Sequence, residues 1–186
     1  MTVEDIHFSD IDSHWGKNYI EKLAKSGVVN GKSKNKFKPD DRVTRAEFSK
    51  MLSIAFSVNN SADLPLFKDV KSTDWYYDYV NSLYLAGIVN GTSGTSFSPQ
   101  KPITREESVV MIMRLYNLAS KSTVIPDDEL TFKDESQISF WAVKDAEKAV
   151  YLNIIQGTSS GNFAPKRNLT RAEAAALICR LAEVLY

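Results

Sequence analysis

Behind each of three copies of Thr-Arg-x-Glu, apolar residues recur every third or fourth position. The copies are Thr44-Arg45-Ala46-Glu47, Thr104-Arg105-Glu106-Glu107 and Thr170-Arg171-Ala172-Glu173. Thr-x-x-Glu ahead of such a period is a capping-box signature: the threonine oxygen accepts from the glutamate backbone NH, and the glutamate carboxylate accepts from the threonine NH. Each copy therefore predicts a helix start. The helices that follow are the most apolar stretches of the chain. Met51, Leu52, Ala55 and Phe56 mark a shorter first one; Val109, Val110, Met113, Leu115 and Tyr116 mark the second; Ala174, Ala175, Leu177, Ile178, Leu181 and Leu185 mark the third. Another helix is predicted upstream of each. Its stripe reads Trp15, Tyr19, Ile20, Leu23 and Ala24 in one copy, and Trp75, Tyr79, Val80, Leu83 and Tyr84 in the next. Gly27 and Gly87 read as left-handed residues closing these helices, with Asn153 in that place in the third copy.

The spacing shows a tandem triplication. Trp15, Trp75 and Trp141 stand 60 and 66 residues apart, and so do Arg45, Arg105 and Arg171. Each tryptophan precedes a glycine by 16 residues (Gly31, Gly91, Gly157). Phe37, Phe97 and Phe163 follow that glycine by six, and Pro39, Pro99 and Pro165 by eight. Each unit opens with Phe-x-Asp, at Phe8–Asp10, Phe67–Asp69 and Phe132–Asp134. Unit boundaries are placed at 1–60, 61–121 and 122–186, with polar linkers over 57–66 and 119–130 that contain Pro65 and Pro126. Units of this size cannot each bury a sufficient core. The fold class is therefore mainly α: three tandem helix-loop-helix modules around a central bundle of the three second helices, with pseudo-threefold symmetry and Leu177 inside.

Composition narrows the function. The 186 residues are 43% hydrophobic and 25% charged, with zero formal net charge, so no global field marks a nucleic-acid binder. No apolar run approaches the ~20 residues of a membrane span, so no membrane insertion is expected. No signal peptide opens the chain; Met1 is followed by polar and acidic residues, as in a mature segment given a start codon. Cys179 stands alone, which excludes an internal disulfide and a Cys-rich metal site; it reads as a small core hydrophobe. Asp10-x-Asp12 and Asp127-Asp128-Glu129 lack the ligand series of a calcium loop, so neither metal nor cofactor is expected. The histidines are His7 and His14, no nucleophile set recurs, and no second acid accompanies the symmetric carboxylates. Three near-equal units suit multivalent holding rather than catalysis.

The repeated arginine needs its own explanation. A cation at a helix N-terminus opposes the macrodipole by a few tenths of a kcal/mol up to ~1, so something outside the helix is being met there. Its planar fork suits a carboxylate-bearing sugar; the alternative is an internal bridge, for Arg45 to the nearby Asp40 or Asp41. If ligand is bound, the three guanidinium groups are expected to be solvent-reachable. Trp15, Trp75 and Trp141 could stack on sugar faces or anchor the first helices. Asp10, Asp69 and Asp134 could accept from sugar hydroxyls, or serve as caps or turn residues. Gly31, Gly91 and Gly157 imply a left-handed backbone or a close approach, by chain or by ligand. Lys32, Lys34, Lys36 and Lys38 alternate; extended, they would line one side and either attract an anionic polymer or form a solvated strip.

Phe-x-Asp, tryptophan, Gly-Ile/Val-Val-x-Gly, Phe-x-Pro and Ile/Leu/Val-Thr-Arg-x-Glu together resemble the S-layer homology module, in three copies from Phe8 to about Tyr186. The resemblance implies a spindle of three modules with their second helices at its centre. It also implies non-covalent anchoring of a surface protein to an acidic, often pyruvylated, secondary cell-wall polysaccharide, outside the cell and without catalysis. The family's ligand grooves lie between modules and are lined by the motif arginine, which makes Arg45, Arg105 and Arg171 the anion-binding candidates. The alternative is a protein–protein module of S-layer assembly, and the isolated segment is expected to be monomeric. The copies also differ. Glu106 replaces Ala46 and Ala172, and would weaken the Arg105 groove by pairing with the arginine or repelling the ligand. Asn153 replaces a glycine, and Gln156 replaces Asn30 and Asn90.

Overall fold

In the computed structural model, which describes residues 7–60, 67–120, 124–126 and 130–186, a helix begins immediately after each capping threonine. The helices are α1 (Lys17–Lys25), α2 (Arg45–Ala55), α3 (Tyr77–Leu85), α4 (Arg105–Ala119), α5 (Val143–Tyr151) and α6 (Arg171–Leu185). Among the described residues a 3-10 helix (Glu135–Gln137) and isolated β-bridges accompany them. All three capping boxes are complete. The glutamate NH donates to the threonine Oγ1 at 3.2 Å in the first and third copies and 3.3 Å in the second. The glutamate Oε2 accepts from the threonine NH at 2.9–3.0 Å. As expected, α2 is the shortest of the three, with 11 residues against 15 in α4 and α6.

The first helices end as the sequence predicts. In α1 the Gly27 NH donates to the Ala24 carbonyl and the Val28 NH to the Leu23 carbonyl, a full Schellman closure, with Gly27 at φ +72°. Gly87 and Asn153 repeat it at φ 72° and 56°. Their beginnings differ from expectation. Trp15, Trp75 and Trp141 lie two residues ahead of α1, α3 and α5 and are 57%, 53% and 46% exposed, so they do not anchor the stripe.

Packing is cyclic. The first helix of each unit packs against the second helix of the preceding one: α3 on α2, α5 on α4, and α1 on α6, which closes the ring. On the axis, the residues just before the capping threonines form a triangle. The Val43 NH donates to Leu169, Leu169 to Ile103, and Ile103 to Val43, at 2.9–3.0 Å. All three side chains are fully buried. The free amides of each second helix are likewise met by its neighbour: Arg45 and Ala46 donate to Lys101 and Pro99, Arg105 and Glu106 to Arg167 and Pro165, Arg171 and Ala172 to Asp41 and Pro39. The architecture is the mainly α, pseudo-threefold spindle, and Leu177 is buried in it. Cys179 is also buried, which pushes its thiol up to about 11.

Candidate functional site

The motif arginines do not reach for Asp40 or Asp41. Each is buried and crosses to the loop of the next unit. Arg45 donates from Nε to the Phe97 carbonyl and from a terminal nitrogen to the Asn90 carbonyl, both at 2.9 Å, with its guanidinium 4.6 Å from the centre of the Phe97 ring. Arg105 does the same to Phe163 and Gln156, both at 3.0 Å, and Arg171 to Phe37 at 3.0 Å and Asn30 at 2.8 Å. The remaining terminal nitrogen faces a capping glutamate: Arg45 lies 3.7 Å from Glu107, and Arg105 lies 3.3 Å from Glu173. Burial lowers all three guanidinium pKa values, against the raising effect of Glu107, Glu173 and Glu47 respectively. The N1 cation thus answers a neighbouring module, and that partner outweighs the unfavourable dipole.

The carboxylates of Asp10, Asp69 and Asp134 cap no helix, although Asp134 stands at the N-cap position of the 3-10 helix Glu135–Gln137. Each carboxylate accepts from two successive loop amides: Phe37 and Lys38, Phe97 and Ser98, Phe163 and Ala164, at 2.7–2.9 Å. The second amide belongs to a residue at φ 56–62°, a left-handed geometry that costs an L residue about 1–2 kcal/mol, and the carboxylate holds it there. That grip turns the Phe37, Phe97 and Phe163 carbonyls toward the incoming arginines. At Gly31, Gly91 and Gly157 the close approach is by the chain itself. A Cβ there would lie 2.5–2.8 Å from Cε1 of Phe8, Phe67 or Phe132, and at Gly91 only 2.4 Å from the Ser93 carbonyl oxygen.

Three grooves result, each built by all three units. The first joins Asn30–Lys32, Glu47, Lys50 and Met51 of unit one to Trp75 of unit two and Arg171 of unit three, around about 230 Å³. In the second, Asn90–Thr92, Glu107, Met111 and Arg114 of unit two meet Arg45 and Trp141, around about 460 Å³. The third sets Ile155–Thr158, Glu173, Leu177 and Arg180 of unit three against Arg105 and Trp15, around about 150 Å³. Arginine, glycine and tryptophan candidates therefore converge, while the aspartates stand behind the loop.

Three sequence expectations fail here. The guanidinium groups of Arg45, Arg105 and Arg171, expected to be solvent-reachable, are buried because each crosses a module junction to bond backbone carbonyls. Glu106 is buried and turned away from Arg105: it accepts from the Ser139 NH at 3.0 Å and from Lys166 Nζ at 2.6 Å, pinning unit two to unit three. The lysines of the first loop form no extended strip, because Ser33 and Lys36 pair in a tight reversal and Lys32 turns to Glu47. Asp12 pairs with Lys17 at 3.1 Å; Asp127–Glu129 lie outside the described residues. Sequence reasoning read the capping glutamates as caps alone, and it missed Lys50, Arg114 and Arg180. The last two share a signal, standing nine residues after Arg105 and Arg171. Burial alone would raise the carboxyls of Glu47, Glu107 and Glu173. The threonine amide and adjacent cations outweigh it and hold all three below 4.5.

Among the described residues no helix is long and apolar enough to cross a membrane. The family model described as S-layer homology domain matches residues 7–49, 66–107 and 131–175. An amylopullulanase of Thermoanaerobacterium thermosulfurigenes is 38% identical over 96% of this chain, which spans 10% of that protein. The exoglucanase XynX of Acetivibrio thermocellus is 38% identical over 97% of the chain and 16% of its own length. An S-layer protein of Bacillus thuringiensis subsp. finitimus is 31% identical over 93% of the chain and 21% of its own length. The chain therefore belongs to the S-layer homology domain family, as three tandem copies of a module that works at the bacterial cell surface.

Proposed function

We propose that the chain anchors a larger protein to the bacterial wall by holding an acidic, pyruvylated secondary cell-wall polysaccharide in its grooves. The observation that carries this reading is the threefold recurrence of a half-exposed tryptophan beside a buried arginine in a groove made by all three units. A flat indole offers a face to the CH side of a sugar, and the groove cations offer charge to a carboxylate. The chain spans about a tenth to a fifth of the relatives it matches, some named as glycan-degrading enzymes and some as S-layer proteins. That suits a shared attachment segment with no chemistry of its own. Arg45, Arg105 and Arg171 act in this reading from the groove floor. Asp10, Asp69 and Asp134 act through the loops they hold, and Gly31, Gly91 and Gly157 keep those loops close.

Removing the motif arginines is a poor test, because they join the modules and their loss would reach folding as well as binding. The tryptophans serve better. Trp15, Trp75 and Trp141→Ala together should abolish sedimentation with purified wall polysaccharide while leaving a folded, cooperatively melting protein. Undiminished binding by that folded triple variant would overturn the proposal.

A further inference from the structure

The three grooves share a plan, with Lys32, Lys101 (at 3.1 Å) and Arg167 each paired to the capping glutamate, but the cation on the second helix is committed differently in each. In the first, Lys32 is ion-paired to Glu47, and Lys50 sits over the rings of Trp75 and Tyr79, 5.7 and 5.9 Å from their centres. In the third, Arg167 takes Glu173 at 2.5 Å in competition with Arg105, while Arg180 donates to the Ile154 carbonyl and lies 5.6 Å from the centre of the Tyr19 ring. The second groove is arranged differently. Asp145 stands at the place held by Tyr19 and Tyr79, four residues after the tryptophan, so Arg114 has no ring to lie against. Among the described residues, no carboxylate lies within ion-pair distance of Arg114. With the Asn90 amide assigned so that its oxygen faces Arg114, the arginine's two terminal nitrogens donate to that oxygen, each at 3.2 Å, and the amide nitrogen donates in turn to the Val89 carbonyl. Trp75 carries Lys50 and Trp15 packs against His14 and Tyr19, whereas no described ring or cation lies against Trp141, although it is the least exposed of the three. This groove also has the largest volume, about 460 Å³.

Building on the proposed wall-polysaccharide binding, we infer that the second groove is the principal site and that Arg114, rather than the motif arginine Arg45, reads the ligand's carboxylate. Arg45 has committed Nε and one terminal nitrogen to backbone carbonyls and turns the other toward Glu107. Arg114 is oriented by a neutral acceptor and feels the Asp145 carboxylate only from beyond ion-pair distance, so its hydrogen-bond donors are left to an incoming anion. Trp141 supplies the stacking face opposite.

The test is calorimetric titration of the complete chain with a carboxylate-bearing wall-polysaccharide fragment and with the same fragment after carboxyl reduction. Arg114→Gln should weaken the acidic fragment at least tenfold and leave the reduced fragment's affinity where it was; Arg114→Lys should recover part of the loss. Arg180→Gln and Lys50→Gln should each cost less than Arg114→Gln. A variant that merely disturbed the fold would weaken both fragments alike, and that result counts against the inference. So does an Arg114→Gln affinity within twofold of the parent, or a larger loss at Arg180 or Lys50; in either case the general wall-binding reading would survive. Failure of the parent chain to bind either fragment would remove both.

Discussion

Glu47, Glu107 and Glu173 each perform two tasks with one carboxylate. One oxygen closes a helix cap, and the other faces cations, including the arginine of the preceding unit. Their pKa values are depressed in the folded chain, so the stability they contribute is fully present above the ordinary 4.5 and is lost as pH falls through the lower folded values. Melting temperature should therefore be flat from pH 7 down to about 5 and drop steeply below 4.5, and the triple Glu→Gln variant should melt lower at neutral pH with a much shallower acid slope. An equally steep acid limb in that variant would show that other carboxylates control it. The cap role was legible because its partner lies three residues away. The second role was not, and the same holds for Asp10, whose partners Phe37 and Lys38 lie 27 and 28 residues on. A carboxylate's contribution depends on what folding brings near it, and sequence spacing reports only local neighbours.

Units one and two each contain one glycine limited by torsion and another limited by space, and the two should respond differently to the same methyl group. Gly87, closing α3, has φ +72° and nothing within 4 Å of an added Cβ. Gly87→Ala should cost only the left-handed penalty, ~1–2 kcal/mol; Asn153 already occupies the matching place in unit three. At Gly91 the added carbon would meet the Ser93 and Ser96 carbonyl oxygens at 2.4 and 2.5 Å and Phe67 at 2.8 Å. Gly91→Ala must therefore move backbone, costing at least the ~1–3 kcal/mol of an overpacked core. Denaturant unfolding of the two variants should rank them in that order, and a reversed order would refute the distinction. Helix starts, helix ends and the apolar faces of the second helices could all be read from period and capping chemistry. The tryptophans could not: an indole at a helix entrance continues the apolar period whether it points to the core or to water.

The units of the repeat are not the units of packing. Each second helix is covered by the first helix and loop of the following unit, and the last returns to the first through α1 on α6. A chain ending at residue 120 would leave α4 without α5, α1 without α6, and Arg105 without the Phe163 and Gln156 carbonyls. Such a two-unit chain should lose cooperative melting altogether rather than keep two-thirds of it, whereas the complete chain should show one transition by calorimetry and circular dichroism alike. Two separate transitions, or a stable two-unit fragment, would contradict this. The triplication made the pseudo-threefold symmetry visible in advance, but the offset by one unit was hidden, because a repeat looks the same whether its partner lies within it or beside it. That offset also bears on time. With one wall of every groove coming from each unit, opening any single junction dismantles all three grooves together. Within the proposed function, such an anchor has no half-attached form to weaken into: it holds at full strength until one rare opening event, and its residence time on the wall is capped by the lifetime of the closed ring.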